Sequence, residues 1–381
     1  MDEKAFTSRI SGEVRFGYNG SYVYFHPNDL PFDLTIDRSV YRQSTDAIIS
    51  LSNLNGRVSG MTEEGGGILL RAFTLKESVS SSSIEGTRST LSDLYRSDKD
   101  RMDEVILRDV KEVRNYMEAL RTGIDEMSKA EGITVELLHR LHMILLTGTR
   151  GENMSPGRFK EEQNAIGMPG DTLETAKMVP AAPPEVDHLI GNLLEYADSD
   201  EDPLVKIALM HYQFEVIHPY RDGNGRIGRL LIMLMLSKEG LLSHPAIYPS
   251  EYFDMHRTQY IDGLFNVSSR DAFGEWFSFF LKALKEQADS SMRMIDELGK
   301  YRRVLESRYS KANGLRTIGL LFENPYVSIS DVAERCDVSQ TTASSILSEM
   351  ESDGVLREVT GRKRNKLYLA DGIMDILMNR A

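Results

Sequence analysis

The sequence of 381 residues predicts a mainly α-helical protein. Apolar residues recur at helical spacing along most of the chain, and strand-like runs are few and short. A polar, glycine-rich loop at 218–229 joins two apolar helical segments, 204–217 and 230–236. These observations favour a helical core built around that loop, with short β-hairpins at its edges.

The composition restricts the functions that this chain can have. The net charge of −13 argues against broad, sequence-independent binding to nucleic acid or to acidic membranes. The single cysteine, Cys336, cannot form an internal disulfide, which is typical of a reducing compartment. Residues 1–10 lack the apolar region of a signal peptide, and the run 230–236 is too short to span a bilayer. We therefore expect a cytoplasmic protein without a membrane partner.

The first predicted domain, 1–115, is a mostly helical region. Gly65, Gly66 and Gly67 are expected to interrupt its helices. The predicted elements are a hairpin over 13–25 that turns at Asn19-Gly20, and helices at 37–54, 68–79 and 103–127.

A serine-rich stretch at 78–88 follows the second of these helices. By composition alone it is typical of a flexible linker.

The second predicted domain, 116–290, contains the glycine-rich loop. Its other predicted elements are helices at 134–146, 183–196, 248–267 and 276–284, and short extended pieces around 167–170 within the segment 157–180.

The third predicted domain, 291–381, begins within a charged helical linker, 285–310. After the linker, shorter helices and strands are predicted. Its predicted elements are helices at 315–322, 329–336 and 340–352 and strands at 356–359 and 367–369. This order resembles a winged helix.

Two functions are open for such a domain. The hydroxyl side chains of the third helix and the basic turn at 361–366 would contact DNA, whereas the alternative is a module for protein–protein contact or dimerisation. The net charge of −2 over 315–381 is unfavourable for phosphate contacts.

The loop at 218–229 has the residue types of a phosphate site. Gly223 and Gly225 permit backbone torsions and close approaches that a side chain would prevent. The amides of Gly223, Asn224 and Gly225 lead into a helix, so they form an anion cradle at its N-terminus. Arg226 and Arg229 lie three residues apart on one helix face and can donate to phosphate oxygens.

Two further residues of the loop suit catalysis. Asp222 is a hard oxygen ligand beside the cradle, which suits Mg²⁺. His218 has an unperturbed pKa that suits a general base near neutral pH. The alternative is a surface loop with a helix-capping histidine and solvated arginines, but the combination within twelve positions favours attack on a phosphorus atom.

The same loop resembles the signature of the Fic proteins, H-x-F-x-D/E-G-N-G-R-x-x-R. It matches at His218, Asp222, Gly223, Asn224, Gly225, Arg226 and Arg229, and it departs in having Tyr220 where the family has Phe. The resemblance implies a Fic-fold helical core with a β-hairpin flap, preceded by a helical N-terminal region. It also implies AMP transfer from ATP, with Mg²⁺, to a hydroxyl of a target protein.

The serine-rich stretch gains a second interpretation beside such a loop. It resembles the inhibitory motif of Fic proteins, S/T-x-x-x-E-G/N, at Ser81, Glu85 and Gly86. In the family that glutamate pairs with the second arginine of the loop, here Arg229. A carboxylate there would occupy the guanidinium and repel the triphosphate of ATP.

The resemblance assigns a role to each residue of the site. His218 removes the proton of a target Tyr, Thr or Ser, and Asp222 holds the magnesium ion. The backbone and side chain of the cradle, Gly223, Asn224 and Gly225, stabilise charge on the transferred group, and Arg226 and Arg229 hold the β- and γ-phosphates. Tyr260 would stack on the purine, although a core position is the alternative. The segment 157–180 resembles the family's flap, a β-hairpin that would bind the target peptide as an added strand, and a surface loop without such a role is the alternative.

Other activities remain open at this point. Glu85 could position a water that removes AMP from a modified target, or the core could transfer another phosphate-containing group. A different class is a DNA-binding transcription regulator whose core only senses nucleotide, although the presence of His218 and Asp222 argues against it, since pure sensing needs no general base. Modification of the protein itself and a homodimer are also expected from the resemblance.

Overall fold

The protein is described from a computed structural model that covers residues 1–17, 20–60, 63–127, 132–168 and 170–378. The helices are α1 (Arg38–Val58), α2 (Glu63–Ile84), α3 (Leu91–Ser97), α4 (Glu104–Met127), α5 (Val135–Leu146), α6 (Val186–Tyr196), α7 (Pro203–Ile217), α8 (Asn224–Lys238), α9 (Pro249–Met255), α10 (Arg257–Arg270), α11 (Phe273–Arg308), α12 (Ala312–Glu323), α13 (Ile329–Cys336), α14 (Gln340–Ser352) and α15 (Asp371–Leu377). The strands are β1 (Gly12–Phe16), β2 (Val23–Pro27), β3 (Tyr326–Ser328), β4 (Arg357–Glu358) and β5 (Leu367–Leu369). The predicted mainly helical class is confirmed. Within the described ranges, no helix is both long and apolar enough to cross a membrane.

Helices α7 and α8 form the centre of the core. Their side chains are buried on nearly every face, as expected for a helix that is apolar all round. Asp202 caps the start of α7, because its Oδ1 accepts from the backbone N–H groups of Leu204 and Val205 at 3.0 Å. The two helices pack against each other, so the loop between them is held at both ends by buried structure.

Helix α2 corrects two predictions about the N-terminal region. It runs without interruption through the three glycines at 65–67 and through the serine-rich stretch as far as Ile84, so the predicted break is absent and the serines are helical instead of forming a linker. Ser78, Ser81 and Ser82 are fully buried on this helix. The Ser78 hydroxyl donates to the carbonyl of Thr74 at 2.7 Å, which satisfies it inside the helix. The serines are small side chains on a tightly packed helix face.

Glu77 fixes the orientation of α2. Its carboxyl group is fully buried and accepts hydrogen bonds from Tyr116 on α4 and from the Ser250 backbone on α9, each at 3.0 Å. The Ser250 hydroxyl also donates to it at 2.5 Å. Burial raises the pKa of Glu77, and these donors act against that rise. Because α2 is tied to two other helices, its C-terminal end points at the loop in a fixed direction.

The two predicted hairpins differ in extent. β1 and β2 pair antiparallel, with Val14 opposite Phe25, as predicted, and Asn19 of their turn lies outside the described residues. The predicted flap hairpin is reduced to one antiparallel bridge, in which Ile166 and Met178 exchange two backbone hydrogen bonds of 2.8 and 3.0 Å. Pro169 of the predicted flap turn lies outside the described residues.

The segment after α8 also differs from its prediction. The single helix predicted at 248–267 is two helices, α9 and α10, that meet at His256. Helix α11 combines the predicted apolar helix and the predicted charged linker into one helix of 36 residues. Its buried face continues beyond the apolar part, through Ala288, Met294 and Leu298, and packs against α1. The predicted domain boundaries, 115/116 and 290/291, fall inside α4 and α11.

The C-terminal domain has the predicted order of helices and strands, with β3 and α15 in addition. Its sheet has the order β3-β5-β4, with Tyr326 and Arg357 both opposite Leu369. This domain packs against the N-terminal region. Lys76 of α2 donates to the carbonyl of Leu377 at 3.1 Å.

Candidate functional site

The loop begins at a strained residue. His218 ends α7 with φ 51° and ψ 59°, the left-handed region that a residue with a side chain rarely adopts. A non-glycine residue held there costs on the order of 1–3 kcal/mol and persists where its surroundings enforce it. The chain turns again at Gly223, whose φ of 81° is readily available to glycine. The two turns place the His218 side chain beside the start of α8.

His218 has the protonation state of a base. Its Nδ1–H donates to the backbone carbonyl of Glu215 at 3.1 Å, because a carbonyl can only accept. The lone pair of a neutral ring therefore lies on Nε2. Burial lowers the pKa of His218 to about 4, and the positive charge of Lys160 acts in the same direction. The imidazole is neutral at pH 7 and able to accept a proton.

The predicted anion cradle is the first turn of α8. Asn224, Gly225 and Arg226 are its first residues, and such N–H groups have no carbonyl partner within their own helix. The Asn224 side chain is bound within the loop. Its Oδ1 accepts from the backbone N–H of Tyr220 at 2.8 Å, and its Nδ2 donates to the carbonyl of Tyr220 at 2.7 Å. Asn224 thus shapes the loop with its side chain, so only its backbone is free to stabilise charge on a ligand.

The two arginines of the loop differ in their partners. Both are buried, with 2% exposure for Arg226 and 1% for Arg229. Among the described residues, Nε and Nη1 of Arg226 have no hydrogen-bond partner, and its nearest carboxylate, Asp222, lies 3.6 Å from Nη2. A buried guanidinium with unsatisfied donors favours the binding of an anion.

Asp222 suits the predicted magnesium ion. Its side chain is 38% exposed at the edge of the cradle, and its Oδ1 accepts from the N–H of Gly223 at 2.6 Å. No cluster of three His, Cys, Asp or Glu side chains that could hold a metal occurs in the described part of the chain. Magnesium ions that accompany a nucleotide typically take one or two carboxylates from the protein and the remaining ligands from phosphates and water. One carboxylate beside a phosphate cradle therefore fits this ion.

The structure brings the predicted inhibitory motif onto Arg229. The carboxylate of Glu85 accepts from Nη2 of Arg229 at 2.7 Å. Ser81 accepts twice, from Nε to its hydroxyl at 3.0 Å and from Nη2 to its carbonyl at 2.8 Å. Burial would raise the pKa of Glu85, but attraction to Arg229 outweighs it and leaves that pKa below its ordinary value. Glu85 is therefore ionised at neutral pH.

Glu85 also covers the cradle. A Cβ added to Gly225 would clash with Oε1 of Glu85 and would lie 2.8 Å from Nη1 of Arg229. The carboxylate thus lies against the backbone of the first turn of α8, where a phosphate oxygen would have to approach. A negative charge in that place would oppose a second anion both by its volume and by repulsion.

Two arginines hold the end of α2, and a glycine follows it. Arg150 donates to the carbonyl of Glu85 at 3.0 Å, and Arg257 donates to that of Ile84 at 2.8 Å. Cations at the C-terminal end of a helix are favourable, because the last carbonyls lack partners there. Gly86 has φ 92°, so the turn after Glu85 requires a glycine.

Tyr260 does not line open space. Its ring is 3% exposed and stacks on Phe253, with the centroids 4.7 Å apart and an angle of 6°. Its hydroxyl pairs with Nε2 of His211 at 2.8 Å, so the residue belongs to the core. The predicted stacking on a purine has no free ring face in this structure, and helical spacing alone could not separate the two positions.

His211 lies beneath the loop and gives a prediction about stability. Its Nδ1–H donates to the Gly228 carbonyl at 3.0 Å, so Nε2 accepts from the Tyr260 hydroxyl. Burial, assisted by the charge of Arg229, lowers the pKa of His211 to about 3, against about 6.5 in an unfolded chain. The unfolded chain binds the proton of His211 more tightly than the folded chain does. The contribution of the neutral His211 to the free energy of unfolding is therefore complete above pH 6.5 and is lost as pH falls towards 3.

The variant His211→Gln should therefore show a weaker dependence of stability on pH. We expect the melting temperature of the wild type to fall more than that of the variant between pH 7.5 and 5.0, by several degrees. The exposed His188 provides the control, because His188→Gln should retain the slope of the wild type. Parallel slopes for all three proteins would contradict the neutral state of His211.

Several residues that shape the loop were not predicted from the sequence. His142 stacks on Tyr220 with centroids 3.8 Å apart, and its Nε2 pairs with the Asp222 carbonyl at 2.8 Å. The Tyr220 hydroxyl, which departs from the motif, pairs with Nδ1 of His139 at 3.2 Å. The contacts join residues about 80 positions apart, so no local spacing could indicate them.

Comparison with known proteins agrees with this architecture. Three family models match successive segments of the chain: Fic/DOC family N-terminal at 41–125, Fic/DOC family at 132–236, and the C-terminal domain of SoFic-like protein adenylyltransferases at 299–372. The chain belongs to the Fic/DOC family.

The relatives cover the chain to different extents. A probable protein adenylyltransferase of Aquifex aeolicus, aq_aa38, is 27% identical over 187 residues, which are 48% of this chain and 54% of the relative. The protein adenylyltransferase fic-1 of Caenorhabditis briggsae is 33% identical over 79 residues, 20% of this chain and 15% of the relative. The chain thus spans about half of the first relative and less of the second.

A solved structure shows the same fold over most of the chain. A Fic family protein from Desulfovibrio desulfuricans superposes with a TM-score of 0.57 at 20% identity, over 88% of this chain and 97% of that protein.

Proposed function

We propose that this protein is a protein adenylyltransferase, which transfers AMP from ATP to the hydroxyl of a Tyr, Thr or Ser side chain. The observation that carries the proposal is the neutral His218, with a lone pair on Nε2, beside an anion cradle that two buried arginines flank. The names of the relatives support the same activity.

The residues define one chemical step. Nε2 of His218 takes the proton of the target hydroxyl as its oxygen attacks the α-phosphorus, and the bond from that phosphorus to the β-phosphate oxygen breaks. The products are an AMP ester on the target and pyrophosphate. The first-turn amides of α8 stabilise charge on the transferred group, and Arg226 and Arg229 neutralise the leaving phosphates. Asp222 would hold a magnesium ion, which supplies further charge neutralisation on the phosphates.

Glu85 is proposed to keep the resting enzyme inactive. Its carboxylate accepts a hydrogen bond from the guanidinium of Arg229 and fills the space beside Gly225. ATP would then bind weakly or with its α-phosphorus out of line for attack. Activation would require Glu85 to leave the cradle.

Labelled ATP tests the reaction class. Glu85→Gly, incubated with ATP labelled at the α-phosphate, should acquire protein-bound label, and ATP labelled at the γ-phosphate should leave the protein unlabelled. Adenylyl transfer retains only the α-phosphate, whereas a kinase transfers the γ-phosphate. Label from the γ-position would contradict the proposal.

A second reaction at the same site is the removal of AMP from a modified target. The ionised Glu85 favours it, because a carboxylate at the cradle can accept a hydrogen bond from an attacking water. In that reaction Glu85 would be needed for activity. Glu85→Gly should therefore lose the removal of AMP while it gains transfer.

The C-terminal domain retains its two predicted functions. The early face of α14, with Thr341 and Ser345, is exposed, as DNA contact would need. Arg362, at the basic turn, instead pairs with Asp100 of the N-terminal region at 2.8 Å. An arginine that is paired with a carboxylate is less available to a phosphate, so this pairing favours the alternative to DNA contact. DNA binding, a homodimer, modification of the protein itself and a cytoplasmic location stay predictions.

A further inference from the structure

The backbone of the catalytic loop is held by a segment that precedes the Ile166–Met178 bridge. Lys160 donates twice to it, from its backbone N–H to the Pro219 carbonyl at 2.8 Å and from Nζ to the Ile217 carbonyl at 3.1 Å. Asn164 donates from Nδ2 to the carbonyls of His218 at 3.2 Å and Tyr220 at 2.9 Å. Four consecutive carbonyls, 217–220, are thus bound by two residues.

The two residues also bind each other. Nζ of Lys160 donates to Oδ1 of Asn164 at 2.8 Å, which leaves Nδ2 of Asn164 facing the loop. Lys160 is 3% exposed, and burial lowers its pKa to about 7; in the described chain its Nζ contacts this amide and the Ile217 carbonyl. Burying an ammonium is unfavourable unless its donors are satisfied, so a buried lysine in this place indicates a specific requirement.

The requirement is the conformation of His218. Its left-handed backbone is strained. Lys160 binds the carbonyls on either side of it, those of Ile217 and Pro219, and Asn164 binds its own carbonyl. That backbone conformation directs the imidazole and allows Nδ1–H to reach the Glu215 carbonyl. Strain at a residue with a chemical role persists only where neighbours enforce it.

We propose that Lys160 and Asn164 are positioning residues, which hold the backbone of His218 so that Nε2 faces the target hydroxyl. The inference rests on the proposed function, and it adds a link between the segment where a target peptide would bind and the orientation of the base. Ile166, whose backbone forms the bridge, lies two residues after Asn164. A target peptide that bound as a strand beside the Ile166–Met178 bridge would therefore contact the segment that orients His218. Among the described contacts, neither Lys160 nor Asn164 hydrogen-bonds to Arg226 or Arg229.

The test compares variants in the Glu85→Gly protein. Lys160→Met and Asn164→Ala should each lower kcat for AMP transfer by roughly tenfold or more, because small displacements of a reacting group are costly. The KM for ATP should stay within about twofold, since the cradle is intact. Lys160→Arg, which retains charge and donors, should recover most of the loss. Gln163→Ala is the control, because Gln163 donates to the backbone carbonyls of Asn164, Pro180 and Ala181 and not to those of the loop.

A second readout does not need activity. The ring nitrogens of ¹⁵N-labelled His218 should report a protonated Nδ1 in the unsubstituted protein and in Gln163→Ala, and these signals should shift in Asn164→Ala and Lys160→Met. Unchanged kcat, or unchanged His218 signals in folded variants, would overturn the positioning role. A Glu85→Gly protein without any AMP transfer would instead contradict the proposed function, and the ring signals would still decide the role of the pair.

Discussion

Glu85→Gly should bind ATP more tightly and transfer AMP faster than the wild type, by roughly 10- to 100-fold in each case. The reason is the contact between Glu85 and Arg229 at 2.7 Å, together with the position of the carboxylate over Gly225. Removing it frees a buried guanidinium and the first turn of α8 at once. Coupling between two such competing anions is typically about 1–3 kcal/mol, which corresponds to this range. Calorimetric titration with ATP measures the affinity directly.

Two further variants separate the causes of this effect. Glu85→Gln retains the volume of the side chain but removes its charge, so an intermediate affinity is expected. Glu152→Gly changes an exposed glutamate in a turn and should bind ATP as the wild type does. If Glu85→Gly and the wild type bound ATP equally, the inhibitory role of Glu85 would be refuted.

His218→Ala should abolish AMP transfer in the Glu85→Gly protein and leave ATP affinity unchanged. A general base typically contributes about 10²–10⁴-fold to the rate, and the phosphates bind to α8 and its arginines instead. The loss should therefore appear in kcat and not in the dissociation constant for ATP. Initial rates of AMP transfer at saturating ATP measure it.

The exposed His188 provides the matched control for this substitution. His188→Ala should transfer AMP at the parental rate, since His188 pairs only with Asp29 at the surface among the described contacts. If His218→Ala retained the parental rate, another group would have to take the proton.

The helical class and the loop could be predicted from the sequence because both depend on local patterns. Helical spacing gave α13 and α14 at their observed bounds, and the twelve-residue motif placed a turn between two buried helices. The serine-rich stretch shows the limit of composition. Serine is common in linkers, but at buried positions its small volume allows α2 to pack closely, and only tertiary contacts distinguish the two cases.

The supporting residues of the site could not be predicted. Lys160 and Asn164 are polar residues in an irregular segment, and their carbonyl partners lie more than 50 positions away in the chain. The orientation of the Asn224 side chain could not be predicted either, since the motif indicated a contact with the ligand and the structure shows a hydrogen bond to Tyr220 within the loop. Tyr260 occupies a helical position compatible with core and pocket alike. Long-range packing decides each of these cases.

Intact-mass spectrometry after incubation with magnesium and ATP tests the central claim most directly. The proteins are the wild type, Glu85→Gly, and Glu85→Gly combined with His218→Ala. We expect an added mass equal to one AMP group in Glu85→Gly, little or none in the wild type, and none in the double variant. Equal addition in Glu85→Gly and the double variant, or no addition in Glu85→Gly even with candidate target proteins present, would contradict the account.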